Sequence, residues 1–106
     1  MKSLMLIASA ALLLNTGLAS AADPEGKVLA QKNACLSCHA VDKKVVGPSY
    51  KDVAKKYAGD KSAQAKLEAK VKAGGKGAWG DIPMPPNPQV KPDDMKKIVA
   101  WILSVK

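Results

Sequence analysis

The sequence predicts an all-α fold, and three observations support that class. Apolar residues recur at helical spacing in the second half of the chain. No segment shows the alternation of apolar and polar residues that is typical of strands. Prolines and glycines stand at the ends of the helical segments. The length of 106 residues allows one domain, and no internal repeats are found.

The first 21 residues are predicted to be a cleaved secretory signal peptide. Lys2 supplies the positive charge, residues 4–14 form an apolar run, and Ala19-Ser20-Ala21 fits a small-x-small cleavage pattern. The run is short for a membrane span, which takes about 20 residues. Cleavage after Ala21 or Ala22 leaves a domain of residues 22–106 outside the cytoplasm, with no stable membrane insertion after processing. An uncleaved N-terminal anchor is the alternative.

Two helices are predicted in the first half of this domain. The first is capped by Asp23, has Pro24 at its first position and reaches the cysteine region. The second is capped by Ser49 and ends at Gly59. Its apolar face repeats at i, i+3, i+4 and i+7 through Tyr50, Val53, Ala54 and Tyr57.

Two more helices are predicted in the second half, separated by a long loop. The third begins at Asp60 or Ser62 and stops at Gly74. The fourth begins at Pro92 and ends with Lys106, whose charge suits the C-terminal end of the helix dipole. The inward faces consist of Ala63, Leu67 and Val71 on the third helix and of Met95, Ile98, Val99, Trp101, Ile102 and Leu103 on the fourth.

The composition excludes several classes of protein. The net charge is +8, but every basic residue is Lys, and Arg is the residue that best contacts bases and phosphates. Nucleic-acid binding is therefore not expected. Two Cys and one His are too few for a four-ligand structural zinc site and for a scaffold of several disulfides.

The motif that carries chemistry is C-x-x-C-H at Cys35, Cys38 and His39. Two thiols three residues apart can form thioethers with the two vinyl groups of one haem, and the following His then offers an imidazole to the iron. An exported thiol-disulfide oxidoreductase is the alternative, but its C-x-x-C normally follows a strand in an α/β fold. A structural disulfide across so short a loop would stabilise the protein little.

The sixth iron ligand is predicted to be Met84. The chain has no second His, and Met is the usual partner that raises the reduction potential. Met84 lies between Pro83 and Pro85, in a loop of residues 74–90 that is longer than an ordinary connection. Met95 lies on a core face, where packing is the simpler interpretation. An exposed Met84 without a metal is the alternative.

Taken together, the motifs resemble those of the small bacterial class I cytochromes c of the c-551 type, the cytochrome c-551/c-552 family. The resemblance runs from Asp23 to Lys106. It implies about four helices around one covalent haem c. The matching motifs are Cys35-x-x-Cys38-His39, Val46-Gly47-Pro48, Tyr50-Lys51-Asp52-Val53-Ala54, Trp79-Gly80, Ile82-Pro83-Met84-Pro85-Pro86-Asn87 and the last helix with Trp101.

The resemblance also implies roles for single residues. His39 is the proximal ligand and Met84 the distal one, and the Pro48 carbonyl accepts the second imidazole N–H. Asn87 is expected to form a hydrogen bond near the Met84 sulfur, and Trp79 to reach a haem propionate. Lys70 stands where the family often has a basic propionate partner, although a solvated side chain is the simpler interpretation. Leu29 stands where an aromatic ring is usual, so a looser contact with the last helix is expected.

The function predicted from these residues is one-electron transport in the periplasm. A six-coordinate iron leaves no site for substrate, so the protein is not expected to be an enzyme. Candidate partners are a terminal oxidase, a nitrite reductase or a quinol-oxidising complex, and a monomer is expected. A haem-based sensor or peroxidase-like protein with a labile sixth ligand is the alternative.

By resemblance, the apolar docking patch comprises Leu36, Val45, Val46, Ile82, Pro83, Pro85 and Pro86, with Lys43, Lys44 and Lys76 next to it.

Overall fold

A computed structural model describes residues 24–106, and the predicted signal peptide lies outside the described residues. Four α-helices and one short 3-10 turn make up its regular structure: α1 Pro24–Lys32, the turn Cys35–Ser37, α2 Tyr50–Lys56, α3 Ala63–Ala73 and α4 Pro92–Ser104. Over these residues the only extended pairing consists of two isolated bridges, His39 with Lys44 and Gly75 with Met84. The all-α prediction is confirmed.

The helix ends follow from local hydrogen bonds. At the start of α2 the Ser49 hydroxyl accepts a hydrogen bond from the Asp52 backbone N–H at 3.0 Å. At the end of α3, Gly74 adopts a φ of 75° and its N–H donates to the Lys70 carbonyl at 2.7 Å. The prediction that α4 reaches Lys106 was wrong, because the Ser104 hydroxyl donates to the Trp101 carbonyl and the chain is extended at the next residue.

The last helix organises the packing. Helices α1, α2 and α3 each contact α4, whereas these three make no helix–helix contact with one another. None of the described helices combines the length and apolarity that a membrane span needs. The core around α4 contains Val53, Leu67, Val71, Val90, Met95, Ile98, Val99, Trp101 and Ile102.

The contact between α1 and α4 is close. A Cβ atom on Gly26 would lie 2.4 Å from the Lys97 carbonyl oxygen, so only glycine permits this approach. One turn later, Ala30 is fully buried. Small residues on α1 therefore bring the two backbones together, and the expectation from Leu29 of a looser contact than in relatives with an aromatic ring stays a prediction. An ion pair of 2.9 Å between Glu25 and Lys97 also joins the two helices.

Candidate haem site

A cleft of about 250 Å³ is lined by residues of both α2 and α3, two helices that do not contact each other. Its walls come from α2, α3, α4, the C-x-x-C-H segment and the loop before Met84. The apolar part of the lining includes Val53, Leu67, Val71, Ile98 and Ile102. The cleft therefore opens into the apolar core, which suits a large flat apolar group.

The two cysteines lie on one tight turn at this cleft. Ala34 has a left-handed φ of 62° and leads into the 3-10 turn. The backbone N–H groups of Cys38 and His39 both donate to the Cys35 carbonyl, at 3.3 and 3.1 Å. Both thiols are free, half-buried and part of the cleft lining. Burial raises the pKa of the Cys35 thiol. The turn therefore presents two thiols that are not joined in a disulfide, and both line the same cleft.

His39 is held by a backbone carbonyl. Its Nδ1 lies 2.8 Å from the Pro48 carbonyl oxygen. Because a carbonyl only accepts, the neutral ring must carry its proton on Nδ1, which leaves a lone pair on Nε2. Gly47 makes this approach possible, since a Cβ there would lie 2.5 Å from the imidazole Cε1. The predicted contact between His39 and Pro48 is present, and its geometry is that of an oriented metal ligand.

Tyr50 lies behind the imidazole, a role that the sequence analysis missed. Its ring stacks on His39 with centroids 4.8 Å apart and planes inclined by 20°, and its edge meets Trp101 of α4 at 5.3 Å. Burial raises the pKa of the Tyr50 hydroxyl far above its ordinary value, and that hydroxyl interacts with the Cys35 sulfur. The only sequence signal was the position of Tyr50, directly after the helix cap and two residues after Pro48.

Met84 is fixed to the opposite end of its loop by a pair of backbone hydrogen bonds. Its N–H donates to the Gly75 carbonyl at 2.8 Å, and the Gly75 N–H donates to the Met84 carbonyl at 3.0 Å. Gly74 packs so closely that a Cβ would lie 2.5 Å from the Met84 oxygen. The Met84 side chain is half-buried and lines the cleft, whereas Met95 is buried in the core around α4 and does not line the cleft.

The other predicted site residues, Trp79, Lys70 and Asn87, differ in where they lie relative to the cleft. Trp79 and Lys70 both line the cleft, and Trp79 is 42% exposed. The Lys70 ammonium lies over Gly75, where a Cβ would be 2.8 Å away. The Asn87 side chain donates to the carbonyls of Pro85 at 3.0 Å and Val71 at 3.4 Å. Its predicted hydrogen bond near the Met84 sulfur is not among these contacts and stays a prediction.

These observations fit a covalently attached haem. The cleft gathers two free thiols, an imidazole with an unprotonated Nε2 and a thioether around an apolar interior. If a haem binds here, Cys35 and Cys38 would hold it through thioethers, and the imidazole and the thioether are side chains of the types that ligate haem iron. The separation of α2 from α3 gives a flat group room between them.

Comparisons with known proteins point to the same class. The Cytochrome c family model matches residues 24–106. Cytochrome c-551 of Allochromatium vinosum is 58% identical over 78 residues, which cover 74% of this chain and 83% of that protein. Cytochrome c-551 of Pseudomonas aeruginosa is 50% identical over 86 residues, covering 81% of this chain and 80% of that protein. The crystal structure of wild-type Nitrosomonas europaea cytochrome c552 aligns with a TM-score of 0.73 at 50% identity, covering 76% of this chain and 99% of that chain.

Fold and site together define a small all-α haem protein with one covalent cofactor. The chain belongs to the cytochrome c family, as a small class I member of the c-551 type. It carries one haem c bound through Cys35 and Cys38, and it is a small haem c electron carrier with redox proteins as partners.

Proposed function

We propose that this cytochrome is a periplasmic one-electron carrier whose haem iron is ligated by His39 and Met84. The observation that carries the proposal is the cleft itself, because it brings both side chains to the C-x-x-C turn although they are 45 positions apart in sequence. Bound haem supplies a one-electron couple between ferric and ferrous iron.

Each residue has a defined task in this proposal. The Pro48 carbonyl keeps the proton on Nδ1 of His39, so that Nε2 faces the metal unprotonated. The Met84 thioether is a soft ligand that favours the ferrous state and therefore a high potential. With both axial positions filled, the iron offers no site for a substrate, and the protein is not an enzyme by itself. Trp79 holds a propionate and Asn87 supports Met84 from its place beside α3.

The test of ligation uses Met84→Ala. Loss of the thioether should turn ferric iron to a water-bound or high-spin form and lower the potential, and both changes are read from absorption spectra during a redox titration. Met95→Leu is the control, since it conserves volume in a packed face and should cost less than about 1.5 kcal/mol with no spectral change. If Met95→Leu altered the spectrum and Met84→Ala did not, the ligand assignment would be wrong. Fast cyanide or CO binding by the wild-type protein would favour the sensor or peroxidase-like alternative.

The proposed location depends on processing. Residues 1–21 act as the signal peptide, cleavage follows Ala21 or Ala22, and residues 22–106 form the mature monomeric domain. The support is the N-terminal charge, the apolar run and the cleavage pattern. The mass of the exported protein should equal the shortened chain plus one haem, with no thiol that reacts with alkylating reagents. Retention of Met1 would contradict this proposal.

Docking is proposed to occur at the haem edge. Three apolar side chains near the cleft are strongly exposed: Val45 by 48%, Val46 by 46% and Ile82 by 64%. Together with Leu36, Pro83, Pro85 and Pro86 they form an apolar patch, and the exposed Lys43, Lys44 and Lys76 are its neighbours in sequence. Such a patch suits brief redox encounters, and the lysines suit an acidic partner such as a terminal oxidase, a nitrite reductase or a quinol-oxidising complex.

A further inference from the structure

The segment 74–83, which we name the glycine loop, connects α3 to Met84 and has little internal structure to fix its shape. Its base is secured by the paired hydrogen bonds between Gly75 and Met84. Its tip contains one turn, in which the Gly77 N–H donates to the Gly80 carbonyl at 2.8 Å. Four of its glycines have positive φ: Gly74, Gly75, Gly77 and Gly80. Because glycine adds conformational freedom, the tip needs a constraint from outside the loop.

That constraint comes from Lys56, the last residue of α2. Its ammonium donates to the Ala78 carbonyl at 3.4 Å and lies 4.8 Å from the centroid of the Trp79 ring. The second distance is within the range of a cation–π contact. Across residues 24–106, this is the one described hydrogen bond that ties the tip, residues 76–82, to another element. One side chain thus engages both the backbone and the indole of the tip.

The position of Trp79 gives this contact a functional meaning. Trp79 forms part of the cleft wall although it is 42% exposed, so nothing in the core holds it in place. Lys56 extends from the helix whose other end carries Tyr50, the residue stacked on His39. The lysine therefore links the glycine-rich wall of the cleft to the helix whose Tyr50 stacks on His39.

We propose that Lys56 is a positioning residue, which holds Trp79 and the tip of the glycine loop against the haem cleft. The proposal rests on the haem site described above. We also expect its charge to favour the ferrous state, because ferric haem carries one more positive charge than ferrous haem and Lys56 contacts the Trp79 ring that lines the cleft. Salt should weaken that second effect, since the side chain is exposed.

The experiment compares three variants of the haem-loaded protein. Lys56→Met keeps most of the apolar stem and removes the charge, Lys56→Arg keeps a cation over the indole, and Lys55→Met removes a neighbouring exposed charge that has no described partner within residues 24–106. Hydrogen exchange is followed by NMR in the ferrous state at the Gly77 amide, whose N–H donates to the Gly80 carbonyl within the tip, and at the Trp79 indole N–H. The reduction potential is measured at low and high salt.

In Lys56→Met, exchange at these two sites should be about two- to fivefold faster, the factor expected when an exposed cation–π contact is lost. Its potential should fall at low salt, and its thermal midpoint should stay close to that of the wild type. Lys56→Arg should restore slow exchange and the potential, and Lys55→Met should leave exchange unchanged. Unaltered exchange in Lys56→Met, the same effect from Lys55→Met, or no rescue by Arg would each overturn the proposal. Failure of His39 or Met84 ligation would appear separately, in the absorption spectrum of the wild-type protein.

Discussion

At the scale of single residues, the site depends on contacts that hold the imidazole from two directions. The Pro48 carbonyl fixes the Nδ1 edge of His39, and the Tyr50 ring covers one face. Tyr50 is 4% exposed and also meets Trp101, so its ring lies between His39 and the core. The orientation of His39 is therefore determined by the packed interior.

Two substitutions separate the ring of Tyr50 from its hydroxyl. Tyr50→Phe keeps the stack and removes only the interaction with the Cys35 sulfur, so it should lower the free energy of unfolding by about 1 kcal/mol. Tyr50→Leu also removes the stack, and its cost should exceed about 2 kcal/mol. Urea denaturation of the haem-loaded proteins gives both values, and the paramagnetic NMR shifts of the His39 ring should change only in Tyr50→Leu. Equal shifts in both variants would assign the orienting role to the hydroxyl.

At the scale of elements, the turn that bears the thiols contains a strained position. Ala34 has φ 62° and ψ 18°, a left-handed conformation that costs a residue with a Cβ about 1–2 kcal/mol. It is the one non-glycine residue with positive φ among residues 24–106, and its side chain is exposed. The strain lies one residue before the first haem-binding cysteine.

Ala34→Gly should therefore stabilise the protein, by about 0.5–1 kcal/mol after the extra entropy of glycine in the unfolded chain is counted. The matched control is Ala69→Gly, at an exposed position inside α3, which should destabilise by about 1 kcal/mol. Thermal and urea denaturation measure the change in the free energy of unfolding, which should rise in Ala34→Gly and fall in Ala69→Gly. A loss of stability in Ala34→Gly would show that the left-handed turn is not strained.

The start of α3 is stabilised by an acidic side chain in the preceding turn. The Asp60 carboxylate accepts hydrogen bonds from the Ser62 N–H and hydroxyl, at 2.8 and 2.7 Å, and pairs with Lys66 at 3.0 Å. The bonds from Ser62 first, and then Lys66, lower the pKa of Asp60 from 3.8 to about 2. The folded state therefore binds this proton more weakly than the unfolded state does.

A pKa lowered by folding stabilises the protein above the unfolded value of 3.8, and the contribution disappears as the pH falls through about 2. Asp60→Asn should be less stable than the wild type at neutral pH, and the difference should shrink over that interval. Chemical denaturation of both proteins at neutral and acid pH measures it. A difference that does not depend on pH would mean that the Asp60 charge contributes nothing.

At the scale of the whole molecule, the charge of +8 is spread over many lysines, but only some lie near the cleft. Lys44 and Lys76 are in the cleft lining, and Lys43 adjoins Lys44 in sequence. Lys61, in the turn before α3, and Lys96, on α4, are exposed and lie outside that lining. This distribution lets local steering be distinguished from net charge.

Lys43→Glu with Lys44→Glu should slow second-order electron transfer to an acidic redox protein at low salt and flatten the salt dependence of the rate, because long-range steering is screened by ions. Lys61→Glu with Lys96→Glu changes the net charge equally and should have a much smaller effect. Stopped-flow kinetics over a salt series provide the comparison. Equal effects from the two pairs would exclude a localised docking patch.

The sequence predicted the four helices and one covalent haem c, because these depend on local spacing and on the short C-x-x-C-H motif. It missed contacts between residues that are distant along the chain, such as the ring of Tyr50 against His39 and Lys56 against Trp79. The spacing of apolar residues along the chain does not show which side chain packs against another across a cleft. The early end of α4 was also missed, because it depends on one hydrogen bond from Ser104.

The arrangement of the helices has a consequence for biosynthesis. Since α1, α2 and α3 pack on α4 and not on one another, their common docking partner is the described helix that is synthesised after the other three. A nascent chain that has not yet emitted residues 92–104 has no helix for the earlier three to dock on. The cleft that contains Cys35 and Cys38 is therefore completed only after α4 has been made, because Ile98 and Ile102 form part of its wall.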